Sequence, residues 1–248
     1  MREYVNRKRA RMPSKTDRSV ASPRGSAAPV MPWPPGRSEE AVAALADAFH
    51  DYPVMRYIVG DAGGDYDRRL HRLIGLFVAG RVLRGNPILA IEESGSVVAV
   101  ATMTPSGPQV EPPELGAIRA ALWQELGAGA RARSEALIAI WERLAVPRPQ
   151  YHLNMLGVRR SHAGRGLGRV LLDAVHEMSR SDATSEGVSL STEDPKNVLL
   201  YEHCGYTVMS HERVADDLET WIMFREDDPG RSAPGGSGSI AATQRSEA

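Results

Sequence analysis

The 248-residue sequence predicts one α/β domain of the mixed (α+β) kind, a central sheet flanked by helices. Three observations predict it. Short apolar runs alternate along the chain with segments whose apolar residues recur every three or four positions. Two of those runs are separated only by Ser94-Gly95-Ser96, the mark of an antiparallel hairpin. A third runs through a glycine-rich loop straight into an amphipathic helix. The composition agrees: 42% hydrophobic residues and a net charge of -1 suit one sizeable core and give no bulk attraction to nucleic acid or membrane.

Residues 1–37 differ from the rest. They hold nine Lys or Arg against Glu3 and Asp17, with prolines at 13, 23, 29, 32, 34 and 35, a composition expected to stay disordered. The run Arg7-Lys8-Arg9-Ala10-Arg11 fits a solvated basic tail or a contact with nucleic acid or anionic lipid. No apolar stretch follows it, which argues against a secretory signal. The folded domain is expected over 38–228, and the Gly/Ser/Ala-rich 229–248 reads as a second disordered tail.

Within the domain, 41–49 and 68–83 are predicted helices, the second with Leu70, Leu73, Ile74, Phe77 and Val78 on one stripe. Residues 87–91 and 97–103 are the hairpin strands. Leu115, Ile118, Leu122 and Leu126, then Leu137, Ile140, Trp141 and Leu144, predict two more amphipathic helices before a strand at 151–158. The helix from Leu167 carries Val170, Leu171, Ala174, Val175 and Met178 on its buried face. Strands follow at 188–192, 206–211 and 220–224. Between the first two, Asp194 as N-cap, Pro195 at the first helical position and Gly205 past the end frame a short helix.

The loop between 158 and 167 carries the chemistry. Gly164, Gly166 and Gly168 let backbone approach a ligand, and the first N–H groups of the next helix lack intrahelical partners, which makes an anion cradle. A dinucleotide fingerprint requires glycine where Arg169 stands and starts closer to the strand. A P-loop requires Lys-Ser or Lys-Thr, whereas the nearest lysine in sequence is Lys196. The remaining candidate is the pyrophosphate of coenzyme A.

In these residues the segment resembles the acetyl-CoA loop of the GNAT superfamily of N-acetyltransferases: Gly166 and Gly168 match, and Ala163 stands where the family carries Gln or Arg. Residues 189–206, with Asn197 and the ending Tyr201-Glu202-His203-Cys204-Gly205-Tyr206, resemble the family's second block. The segment Ala48-Phe49-His50-Asp51-Tyr52-Pro53 is similar to one in the puromycin N-acetyltransferase-like branch. The likeness spans about residues 38–226. It implies a mostly antiparallel sheet, acetyl-CoA as co-substrate, and a first strand before Ser38, for which 28–33 is poor material because of its prolines.

The resemblance assigns cofactor binding to Leu156, Gly157 and Val158 on the strand, to Gly164, Arg165, Gly166, Leu167, Gly168 and Arg169 in the loop, and to Asn197, with an N–H near Met155 or Leu156 as oxyanion donor. Tyr201, one turn from Asn197, is the candidate acid; a phenol with a pKa of about 10 can protonate a thiolate whose thiol has about 8.5. Puromycin N-acetyltransferase-like relatives often have Glu where this chain has Ser191. Glu193, two residues on and on the same strand face, is therefore the candidate base, although beside Asp194 it fits equally a role at the helix N-terminus. His152 is a second candidate, although a packed core histidine accounts for it more readily. Tyr52, Trp123 and Trp141 fit either an aromatic acceptor pocket or helix packing.

The expected function is acetyl transfer from acetyl-CoA to the primary amine of a small molecule in the cytoplasm. Protein acylation and a non-catalytic acyl-CoA sensor are the rivals. With one cysteine, Cys204, and no clustered ligands, neither a disulfide nor a metal is implied.

Overall fold

The computed structural model describes residues 29–227. Seven strands form one sheet in the order β1-β2-β3-β4-β5-β7-β6. They are β1 (Val30–Pro32), β2 (Ile88–Glu93), β3 (Ser96–Thr104), β4 (Tyr151–Val158), β5 (Gly187–Thr192), β6 (Thr207–Ala215) and β7 (Leu218–Glu226). Only β4 and β5 pair in parallel. The helices are α1 (Ser38–Ala48), α2 (Pro53–Val59), α3 (Tyr66–Arg84), α4 (Pro113–Leu144), α5 (Leu167–Ser181) and α6 (Pro195–His203).

Local chemistry sets the joints. Ser94 (φ 51°) and Gly95 (φ 78°) make the two-residue turn whose twist suits a hairpin between β2 and β3. Gly127, at φ 85° and ψ 166°, breaks α4 into the two helical stretches that its apolar stripes predict. α2 escapes prediction because seven residues give too short a stripe, yet Pro53 pre-sets its first turn.

Residues 30–37, assigned above to the disordered tail, belong to the fold. Val30, Met31 and Pro32 pair with Ile91, Ala90 and Leu89. Prolines are tolerated there because β1 is an edge strand with a neighbour on one side only. Trp33 follows, 5% exposed, its Nε1–H donated to the Arg37 carbonyl at 2.7 Å and its ring covered by the Arg37 guanidinium. The expected tails at 1–28 and 229–248 lie outside the described residues.

Two apolar layers sandwich the sheet. α1 to α4 cover one face through Leu45, Ile58, Leu73, Ile74 and Leu137, and α5 covers the other through Leu171, Leu172 and Val175. β4 changes face midway. Tyr151 and Leu153 enter the α5 layer but Met155 enters the α1 to α4 layer, although all are odd-numbered. A bulge causes the reversal: Thr102 and Met103 oppose Met155 and Leu153, which leaves Asn154 as the extra residue.

Candidate active site

The parallel strands β4 and β5 part company at that bulge. Tyr151, His152 and Leu153 pair with Val188, Ser189 and Leu190, and no pairing continues beyond them. β4 runs on to Val158 alone on that side, and its end leads into the glycine loop. The sheet is thus split by a gap that opens towards the loop.

The loop enters α5 with Gly164 at φ 74° and Gly166 at φ 80°, the left-handed conformation that favours glycine. The first bond of the helix runs from Val170 N–H to the Gly166 carbonyl at 3.2 Å. The N–H groups of Gly164, Arg165, Gly166, Leu167, Gly168 and Arg169 have no protein partner among the described residues. A Cβ on Gly164 or Gly166 would meet no atom within 4 Å, so the positive φ and not crowding is what calls for glycine there. The loop's arginines point elsewhere: Arg165 grips Glu93 at 2.9 and 3.0 Å, Arg169 bonds Asp173 at 2.8 Å, and Arg160 lies against Asp47. They brace the loop and leave the backbone to meet an anion.

Of the three predicted strand residues, Leu156 and Val158 pack towards α5, whereas Gly157 has a second reason to be glycine. A Cβ there would lie 2.8 Å from Ala48 Cβ and 3.0 Å from Leu45 Cδ2, so α1 could not seat on β4. Asn197 is half-buried on α6, and its side-chain amide has no partner among the described residues. Tyr201 lies one turn further, its ring edge-on to Tyr206 at 5.5 Å and its hydroxyl likewise without a protein partner. Burial, with the nearby Cys204 thiol and Glu193 carboxyl, pushes its phenol above the ordinary value, so it stays protonated at neutral pH.

Glu193 does not cap α6. Asp194 does, accepting the Lys196 N–H at 2.9 Å, while Glu193 turns into the protein and is 5% exposed. Its Oε1 accepts a 2.7 Å bond from Thr220 Oγ1, which in turn receives the Trp141 Nε1–H at 3.1 Å. Tyr52 reaches the same spot: its hydroxyl accepts the Glu193 N–H at 3.0 Å and lies 2.9 Å from Thr192 Oγ1. Burial raises the Glu193 carboxyl to about 7, against hydrogen bonds from Thr220, Trp141 and Tyr52 that lower it. Two aromatic candidates thereby acquire polar roles around one carboxyl. Trp123 packs in the α1 to α4 layer.

His152, the second candidate base, is held down to about 4 by burial and by Arg81, and its Nδ1 is 2.8 Å from Ser189 Oγ. It is therefore neutral and engaged with a hydroxyl. Arg81, Thr104, Asn154 and Thr220 are polar groups of this region that the sequence reading passes over. Arg81 had a signal: it continues the buried α3 stripe of Ile74 and Val78 as a charged residue.

Residues 133–225, which include the loop, Glu193, Asn197 and Tyr201, match the family model described as acetyltransferase (GNAT) domain. Among solved structures, the chain is similar to a Corynebacterium glutamicum protein described as histone acetyltransferase HPA2 and related acetyltransferase, with 20% identity, a TM-score of 0.59, and coverage of 83% of this chain and 100% of that one. It is also similar to the polyamine N-acetyltransferase of Drosophila melanogaster (18%, 0.55, 79% and 97%) and to an agmatine N-acetyltransferase mutant (16%, 0.55, 81% and 100%). The fold is GNAT-like, and the family match covers residues 133–225 of it. Among the described residues no helix is long and apolar enough to cross a membrane, and no group of three His, Cys, Asp or Glu is arranged to hold a metal.

Proposed function

We propose that this GNAT acetyltransferase domain moves the acetyl group of acetyl-CoA to the primary amine of a small molecule. The observation that carries the reading is the row of six unpartnered N–H groups from Gly164 to Arg169, at a helix N-terminus and at the mouth of the gap between β4 and β5. Such a row, aided by the α5 dipole, suits a pyrophosphate. The free side of β4 at Leu156, Gly157 and Val158 runs from the bulge to the loop, and these residues with Asn197 are assigned to the rest of the cofactor. Acetyl-CoA, when bound, supplies an acetyl group activated as a thioester.

The remaining work is proton handling on either side of the gap. As the C–S bond breaks and the C–N bond forms, the amine loses a proton and the sulfur gains one. Glu193, poised near 7, is the acceptor of the first, directly or through a water. Tyr201 holds the second at its phenol oxygen and is replenished from solvent. An N–H near Met155, beside the bulge, faces the developing oxyanion. Placement in the puromycin N-acetyltransferase-like branch belongs to this proposal and rests on Tyr52, the residue of the 48–53 segment that orders Glu193. The one free thiol, Cys204, accords with a reducing, cytoplasmic setting. Incubation with acetyl-CoA and a panel of amines, read by release of free thiol, tests the reading. Amine-dependent thiol release supports it, and thiol release by no amine overturns it.

A further inference from the structure

Among the described residues, Arg69 and Arg81 are the two half-buried arginines whose Nε is buried without a partner; Arg69 is held by the Glu125 and Leu126 carbonyls, whereas Arg81 meets neither a carbonyl nor a carboxylate. Its Nη1 donates to Thr104 Oγ1 at 2.7 Å, its Nε is buried with no partner, and it forms no ion pair among the described residues. Its neighbour Arg84 shows the ordinary solution, an ion pair with Glu111. Burial and Arg84 lower the Arg81 guanidinium to about 10, so it remains a cation at neutral pH. A half-buried guanidinium bonded only to a hydroxyl, with its Nε shut off from water, lacks the acceptor that a ligand could supply.

The surroundings link Arg81 to the proposed site. Thr104 passes the contact on to Asn154 Oδ1 at 3.0 Å, the bulge residue where β4 and β5 separate. Thr104 is also paired across the sheet with His152, and His152 bonds Ser189. Ser189 and Ser191 lie on the face of β5 opposite Val188 and Leu190, and Glu193 follows directly after the strand. A polar tract therefore runs under α3 and α4 from a cation at Arg81 to a carboxyl at Glu193.

The geometry points to an acceptor that carries a carboxylate for Arg81 at one end and its reactive amine for Glu193 at the other. This rests on the acetyltransferase reading above and narrows its acceptor. The planar guanidinium matches a carboxylate with two parallel N–H donors. Glu193, just past the end of β5, is four positions from Ser189, about 13 Å of extended chain, and Arg81 reaches Ser189 only across Thr104 on β3 and His152 on β4, so the two groups are several bonds apart. An ω-amino acid or a diamino acid meets that description, and a plain diamine does not.

Matched acceptors test it: L-lysine against cadaverine, L-ornithine against putrescine, and 6-aminohexanoate against hexylamine. Wild type is expected to show kcat/KM at least tenfold higher for the carboxylate member of a pair. Arg81→Gln should bring that ratio close to one and Arg81→Lys should restore part of it. A purely structural Arg81 would lower both members alike and keep the ratio. A wild-type ratio of one or below, or a ratio unchanged in Arg81→Gln, overturns the acceptor assignment and leaves the acetyltransferase reading standing. If no amine of either series releases thiol, both fall together.

Discussion

The loop at 164–169 and the tract around Glu193 handle charge by opposite means. The loop offers six consecutive backbone N–H groups, with glycine conformations as its only special requirement. The tract takes Tyr52 from the α1–α2 connection, Trp141 from α4, Glu193 from the end of β5 and Thr220 from β7, and turns them on one buried carboxyl. An anion cradle made of backbone tolerates change in its side chains, as Ala163 illustrates. A carboxyl whose proton affinity is set by burial and three hydrogen bonds does not. Binding is thus expected to be robust and chemistry fragile.

Substitutions sharpen that contrast. Glu193→Gln keeps shape and most hydrogen bonds but cannot take a proton; kcat should fall by roughly 10² to 10³ while acetyl-CoA affinity, measured by calorimetry, stays within a few-fold. A rate near wild type would move the base elsewhere. Tyr201→Phe should cost roughly 10² in kcat with the melting temperature and CoA affinity little changed. A structural tyrosine would show the reverse, lost stability with near-normal turnover. Gly166→Val forces a β-branched residue to φ 80°, which should shift the loop amides out of line, so acetyl-CoA affinity should drop about tenfold or more. Undiminished affinity would remove the loop from the cofactor site. Thr220→Val, the smallest change, deletes a hydrogen bond that lowers the Glu193 pKa, and the pH at which activity rises should move upward.

The same contrast explains what the sequence disclosed. β4 is predicted residue for residue, and the loop and the Asp194 cap are legible because each is set by neighbours within a few positions. The Glu193 environment is not, since Thr220 and Trp141 reach it only through the sheet register and the bend at Gly127. A composition argument also misplaced the start of the fold. The prolines of 29–35 do disfavour a central strand, but pairing register, not composition, decides that β1 lies at an edge, with Trp33 sealing the end of the core. Arg81 shows the middle case, a charge on an apolar stripe, visible in sequence but meaningless until its lack of a carboxylate is seen.

Glu193 couples activity to stability in opposite directions. Its folded pKa of about 7 lies above the ordinary carboxylate value of 4.5, so its contribution to stability is full below about 4.5 and is lost as pH rises through about 7. Over that window the group becomes a competent base. The most direct measurement is the pH dependence of kcat/KM for wild type and Glu193→Gln with one amine acceptor, whose own ionisation is common to both. The wild type should show a rising limb centred near 7 that the variant lacks, with the variant gaining stability over wild type above that pH. The same limb in Glu193→Gln, or a wild-type profile governed by the acceptor's ionisation alone, would contradict the assignment of Glu193 as the base.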